Sequence, residues 1–240
     1  MMTLPDGALG TWVKIPAMEV VELAALAGFD FVVIDLEHSP ISVETASRLI
    51  GTGRHTGVAP IVRVPQVDGL VARLLDAGAA GIMVPHVDTV AQARAAVDAV
   101  RFPPLGARGV GSTSRAGAWG AMSRDDYLRQ DVVLIAQIES AEGVRNAEKI
   151  AATEGVDALL VGAADLAVSE GRDDIDDLIA EVVAAAGAAG KPVGNAGGAT
   201  AEAARAAFAA GFTFTLLSND ATLLGSALRA AVDSGRRAHA

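Results

Sequence analysis

The chain has no cysteine, and only three of its 240 residues are lysines, Lys14, Lys149 and Lys191. Without cysteine there is no disulfide framework, no thiol nucleophile and no thiolate metal site. Any metal must then be held by Asp, Glu, His or carbonyl oxygen, the ligands of hard divalent cations. Positive charge is scarce: 19 Lys and Arg stand against 29 Asp and Glu, for a net charge of -10 and a pI near 4.8. A phosphate backbone demands clustered cations, so nucleic acid is excluded as a partner. No apolar run approaches the ~20 residues of a membrane span, and the N-terminus lacks a basic flank followed by an apolar signal core. The expectation is a cytoplasmic protein with no membrane partner. No linker or low-complexity tail interrupts the chain, and no Gly-x-Gly-x-x-Gly turn of an open dinucleotide-binding sheet follows the first strand. What remains is 51% hydrophobic, ample for one domain over 1–240.

Short β-branched runs alternate with Ala-rich amphipathic stretches, the pattern of βα units on a parallel sheet. Strands are expected near 10–15, 30–35, 60–64, 81–85, 132–138, 157–162, 192–195 and 212–217. Helices are expected near 18–27, 42–54, 67–77, 89–100, 141–153, 173–189, 200–210 and 220–236. Several end at glycine, as in "ELAALAG", "RLLDAG" and "AAFAAG", where glycine closes the helix and turns the chain toward the next strand. Eight units in a chain of this length predict an α/β fold, a (β/α)8 TIM barrel, typically ~250 residues. The longest irregular segment, 101–124, is rich in Gly, Pro, Ser and Arg, and loops of that length are usually lids or binding loops.

Residues just past the carboxyl ends of barrel strands converge on one rim. "VVIDLEHSPI" at 32–41 turns from aliphatics to Asp35, Glu37 and His38; strand three carries Arg63; strand five ends in Gln137 and Glu139; strand six ends in Gly162, with Asp165 close behind. Desolvating unpaired charges costs several kcal/mol, so these polar tails need a shared purpose. Glu139 and Asp165 can give two carboxylate oxygens to a divalent cation, or Glu139 can cap the helix beginning at Ser140 while Asp165 pairs with an arginine. Arg63 can fork onto a substrate carboxylate or onto a barrel carboxylate. His38 suits a general base or a structural role. His86 can reach the rim as a pocket wall. Asp76, at the end of a helix, has no role by position alone.

Together with these residues, "GTWVKIP", "DFVVIDLEHSP", "PIVRVP", "LLDAGAAGIMVPHV", "RFPPLGARGVG", "LIAQIES" and "TEGVDALLVGAADL" follow one another in the register of a known family. The chain resembles the HpcH/HpaI family of metal-dependent class II pyruvate aldolases, which includes 2,4-dihydroxyhept-2-ene-1,7-dioate aldolase and 2-dehydro-3-deoxyglucarate aldolase. The resemblance implies a carbon–carbon lyase that reversibly splits a 4-hydroxy-2-oxo acid into pyruvate and an aldehyde. It implies a divalent cation (Mg, Mn or Co) on Glu139 and Asp165, with His38 as base. Asp76, from a neighbouring subunit, would raise the basicity of His38, and Arg63 would stabilise the carbonyl or enolate oxygen. Gln137, Gly162, the backbone at Ala164 and Asp165 would contact substrate, with Asp35 orienting the base or the metal's waters. A cation serving as Lewis acid makes a lysine Schiff base unnecessary, and Lys14 alone among the lysines lies near the rim.

The resemblance further implies a homo-oligomer, trimer or hexamer, whose last helix packs on a neighbour. Leu223, Leu224, Leu228 and Val232 form a stripe that suits either that role or the chain's own barrel. This chain has Ala163 and Ala167 where the family often has Pro and Ser, and Asn195 and Ala196 where relatives carry bulky aliphatics, which opens the pocket. Ser112, Ser114, Arg115 and Trp119 of the long loop are expected at the aldehyde end of the substrate. Competing readings are a 2-oxo diacid decarboxylase or malyl-CoA-type lyase on the same enolate chemistry, and a noncatalytic keto-acid-binding barrel.

Overall fold

The computed structural model describes residues 4–238, and the eight-unit expectation holds: eight parallel strands close into one barrel in sequence order, with the helices outside. The strands are β1 (Ala8–Val13), β2 (Phe31–Asp35), β3 (Ala59–Arg63), β4 (Gly81–Val84), β5 (Val133–Ile138), β6 (Ala158–Val161), β7 (Val193–Gly197) and β8 (Phe214–Asn219). The helices are α1 (Met18–Ala27), α2 (Val43–Thr56), α3 (Gly69–Asp76), α4 (Val90–Val100), α5 (Arg124–Leu128), α6 (Ala141–Ala151), α7 (Ala163–Glu170), α8 (Asp176–Ala188), α9 (Ala201–Ala209) and α10 (Asp220–Arg237). Among the described residues no helix is long and apolar enough to cross a membrane.

Two helices were absent from the sequence expectation. α5 is a five-residue turn capped by Ser123, and α7 runs from Gly162 to a left-handed Gly171. Asp165 therefore sits in the first turn of a helix, where the positive end of the peptide dipoles favours a carboxylate, and not in a loop.

Side-chain alternation sorts each strand. In β2, Val32 and Ile34 face the helices, while Phe31 and Val33 face the barrel axis, which sends Asp35 inward by the same period of two. The bottom of the barrel is plugged by Phe31 and Phe214, packed edge to face with centroids 5.9 Å apart. Both rings fit because β1 and β7 carry glycine there: a Cβ at Gly10 would overlap the Phe31 ring, and one at Gly194 the Phe214 ring. Above them Val33, Ile61, Ile135, Leu160 and Leu216 fill the interior, each large side chain contributing roughly 1.5–3 kcal/mol through burial. The next inward positions toward the carboxyl end are Asp35, Arg63 and Gln137, all buried. The apolar column thus ends in a floor of polar groups at one mouth.

Segment 101–124 departs from expectation in placement. It leaves the C-terminal end of α4 and precedes β5, on the face opposite that mouth, and then runs outside the helices. Arg115 donates to the Ser47 and Ala77 carbonyls, and the Ala116 N–H to the Asp76 carbonyl. It does not reach the mouth of its own barrel, so in one chain it is not the lid or aldehyde-contacting loop that its length suggested.

Candidate active site at the carboxyl mouth of the barrel

Asp35 is the hub of the mouth. Its Oδ1 accepts from Arg63 Nε at 2.9 Å, and its Oδ2 from Arg63 Nη2 at 2.8 Å and Lys14 Nζ at 2.7 Å. The backbone N–H groups of Glu37 and His38 also donate to Oδ1, at 3.1 and 3.2 Å. The register that pairs Asp35 with Arg63 across β2 and β3 makes the fork possible. Burial alone would raise the Asp35 pKa; the bonds from Arg63 and Lys14 outweigh it and hold the group at about 2. Arg63 also lies over the Trp12 ring, 4.3 Å from its centroid, a favourable place for a desolvated guanidinium. The internal carboxylate considered for Arg63 is therefore the one the structure shows, and its bidentate edge is taken.

Glu37 carries the network onward. Its Oε2 lies 3.0 Å from Arg63 Nη1 and 3.6 Å from His38 Nε2, and its Oε1 lies 3.4 Å from His86 Nε2. The Arg63 contact is ionic and lacks hydrogen-bond geometry. His86 then reaches Glu139: its N–H donates to Oε2 at 3.0 Å, and Nδ1 stands 3.1 Å from the same oxygen. His86 does so from φ +53°, a left-handed conformation unusual for a side-chain-bearing residue and a mark of functional sites.

Glu139 is buried; Gln137 Nε2 donates to its Oε1, and Gln137 Oε1 is buried without a partner. Burial pushes the Glu139 carboxyl above its ordinary range, and the negative charges of Asp165 and Glu37 add to that rise against the opposing influence of His86. Gly162 is required beside it, because a Cβ there would stand 2.6 Å from Glu139 Oε1. Ser140, not Glu139, caps α6, and among the described residues Asp165 has no arginine partner within ion-pair distance. Neither bland alternative for this carboxylate pair holds.

The structure therefore brings Asp35, Arg63, His38, Gln137, Glu139, Gly162 and Asp165 to one mouth, and adds Glu37, His86 and Lys14. It does not bring Asp76 there. Asp76 ends α3 at the far face, where its Oδ1 accepts from Tyr127 at 2.9 Å and Arg108 at 3.1 Å. Asn195 also departs from expectation: it pairs with Thr215 across β7 and β8 on the strand face opposite Gly194, so Ala196, not the amide, faces inward. A second cleft of about 260 Å³ lies between Arg101, Asp157 and Lys191 at the opposite face. Its two cations, Arg101 and Lys191, are matched by Asp131 and Asp157 in the same lining, Arg101 pairing directly with Asp157, so it offers no comparable charge imbalance.

Comparisons with known proteins agree with this geometry. The profile of the HpcH/HpaI aldolase/citrate lyase family matches residues 8–233. The chain is 40% identical to a hydroxypyruvate/pyruvate aldolase of Chromohalobacter salexigens, over 92% of this chain and 91% of that protein. It is 36% identical to a 2-dehydro-3,6-dideoxy-6-sulfogluconate aldolase of Pseudomonas putida, over 94% and 91%. The crystal structure of a HpcH/HpaI aldolase/citrate lyase family protein from Burkholderia cenocepacia superposes with a TM-score of 0.90 at 38% identity, covering 96% of this chain and 95% of that one. With the closed barrel and the converging strand tips, these matches show that the chain belongs to the HpcH/HpaI aldolase/citrate lyase family.

Proposed function

We propose that this chain is an aldolase, a carbon–carbon lyase that reversibly cleaves a 4-hydroxy-2-oxo acid to pyruvate and an aldehyde with the help of a divalent cation. The observation that carries this reading is the charge at the mouth. Asp35, Glu37, Glu139 and Asp165 face only two permanent cations, Lys14 and Arg63, two charges short of neutrality. Glu139 and Asp165 are the carboxylates without a permanent cation, and the unpartnered Gln137 Oε1 beside them can accept from a water held there. Two carboxylates leave coordination positions for water and substrate. Mg, Mn or Co suits such oxygen ligands. When bound, the cation supplies Lewis acidity to the 2-oxo group.

The chain's own residues do the rest. His38, more than half exposed at the mouth, accepts the proton of the C4 hydroxyl, with Glu37 orienting its imidazole. The C3–C4 bond then breaks, the aldehyde leaves, and the electron pair passes into an enolate whose oxygen the Nη1 edge that Arg63 keeps free of Asp35 would meet; return of the proton from His38 to C3 completes pyruvate. Asp35 holds that guanidinium rigidly, so the donor does not reorganise as charge develops. Gln137, Gly162 and the backbone at Ala164 line the oxo-acid side. Incubation with pyruvate, an aldehyde and Mg or Mn is expected to yield an aldol adduct that EDTA abolishes and added metal restores; adduct formation unchanged in chelator refutes the reading.

Asp76, held by Tyr127 and Arg108 at the far face, is proposed to serve the mouth of a second copy of the chain. A homo-oligomer is supported by α10, in which only Asp220 is buried, while Leu224, Leu228 and Val232 are each about half exposed. An apolar groove of about 280 Å³ lies between α1 and α10, lined by Val20, Leu23, Phe29 and Leu223. The stripe is not seated on its own barrel, and a second copy of the chain is the partner proposed for it.

A further inference from the structure

We propose that Lys14 is a specificity-determining residue that binds a second, distal anionic group of the substrate, so that the chain favours oxo acids carrying an acid at the far end. This rests on the aldolase reading above and deepens it.

Lys14 and Arg63 differ in what they have left to give. Arg63 is 5% exposed; its Nε and Nη2 are bound to Asp35, and Nη1 lies against Glu37. It can serve an oxygen at the reacting centre but not one far along the chain. The Lys14 ammonium has three donors, and among the described residues its one partner is Asp35 Oδ2. Asp35 is also held by the Arg63 fork and two backbone N–H groups, so Lys14 shares its partner. The lysine thus keeps spare donors on a 28% exposed side chain.

Its placement is prepared. The backbone N–H groups of Lys14 and Ile15 both donate to the buried Asp220 Oδ2, at 2.9 and 2.8 Å. Lys14 continues the inward parity of Gly10 and Trp12, so the ammonium stands over the mouth. A ligand site built on a fixed backbone loses little entropy on binding.

The rest of the mouth shows where a ligand would extend. The carboxylates lie from β2 round to the start of α7. Beyond Asp165 the tips of β7 and β8 offer Ala196, Gly197, Gly198, Ser218 and Asn219, and the one carboxylate there, Asp220, is buried and bound to the backbone N–H groups of Lys14 and Ile15. Lys14, just past β1, is the next group round the closed barrel and the first cation met along that arc. From β6 to β1 is three strand spacings, about 14 Å along the wall. The side chains of Asp165 and Lys14 shorten that span, and the ligand proposed is an extended acid lying along this arc, with its oxo-acid end at Glu139 and Asp165 and its tail toward Lys14. Relatives of this chain are named for a sulfogluconate and a glucarate, compounds with just such a second acid.

The test uses two six-carbon probes that differ only at the tail, 2-oxoadipate and 2-oxohexanoate, titrated calorimetrically into the Mg-loaded protein. The wild type is expected to prefer 2-oxoadipate by about tenfold to a hundredfold, the worth of one charged hydrogen bond. Lys14→Met is expected to erase that preference and Lys14→Arg to retain part of it; Lys14→Gln replaces the methionine variant should that one fail to fold. In turnover, the ratio of kcat/KM for succinic semialdehyde over butanal should fall by the same factor in Lys14→Met, through KM more than kcat. A preference that survives Lys14→Met, a wild type with no preference, or borohydride trapping of pyruvate on Lys14 overturns the proposal. Absence of any aldol product in the wild type would instead count against the aldolase reading, because the binding comparison needs no turnover.

Discussion

Replacing Asp35 by Asn tests the organisation of the mouth at its centre. The amide keeps the shape but removes the charge that Arg63 and Lys14 share. Lowering the carboxyl from its ordinary 3.8 to about 2 corresponds to roughly 2.5 kcal/mol of stabilisation at neutral pH. Breaking a buried ion pair from one side costs about 3–5 kcal/mol, because the other charge is left uncompensated. Asp35→Asn should therefore lower stability by roughly 2.5–5 kcal/mol and Tm by about 5–20 °C for a domain of this size. The pH dependence separates this account from a packing defect. Since the folded-state pKa lies below that of the unfolded chain, the contribution is complete above about pH 4 and is lost as pH falls from there toward 2. Urea unfolding of wild type and variant between pH 2 and 7, in chelator so that metal linkage does not enter, should show the two curves separated at pH 7 and converging in acid. Curves that run parallel through acid, or a variant within about 1 kcal/mol of wild type at pH 7, refute the claim that this carboxylate organises the site.

His38→Gln should lower kcat by about a hundred- to ten-thousandfold, the range of a lost general base, while the Mg affinity measured by calorimetry changes little. A variant keeping more than a tenth of wild-type kcat removes His38 from that role. Leu224→Lys combined with Leu228→Lys places charge in the exposed α10 stripe, where each leucine buried at an interface contributes roughly 1.5–3 kcal/mol. Light scattering should then report a smaller assembly, and an unchanged mass would mean that the stripe is not an interface.

The barrel was legible because parallel strands buried on both faces read as compact aliphatic runs, and β2, β3 and β5 fall within a residue or two of expectation. β7 extends to Gly197 through "NAG", which carries no β-branched signal. α7 escaped because eight Ala-rich residues between two glycines resemble a loop; Gly171, left-handed and closing the helix, was the available sign. At the mouth, strand-tip position was enough to gather Asp35, Arg63, Glu139 and Asp165. The use of Glu37 as a bridge was not legible, since it depends on distances to Arg63, His38 and His86 that cross three strands. Nor was the approach of His86 to Glu139, which requires a positive φ. The misplacement of loop 101–124 has a simpler cause. A segment that follows a helix and precedes a strand must lie on the face opposite the strand tips, and the same parity puts Asp76, at the end of a helix, away from His38.

A buried ion pair is weak evidence for stability, since desolvation cancels much of its attraction, and the Asp35–Arg63 fork is better understood by what it fixes. The apolar column of Val33, Ile61, Ile135 and Leu160 beneath it excludes water from one side, and Trp12 covers the guanidinium. In that setting every charge must be answered by a near neighbour. Asp35 is answered by Arg63 and Lys14, and Glu37 by Arg63, whereas the carboxylates of Glu139 and Asp165 meet no permanent cation. The mouth is thus divided into a part in which carboxylates are paired with Lys14 and Arg63 and a part, Glu139 and Asp165, that no lysine or arginine of the described residues pairs with. On the aldolase reading proposed above, that division suits chemistry on a 2-oxo acid: the finished part would hold a donor still, while the unfinished part would take a cation and, with it, the substrate.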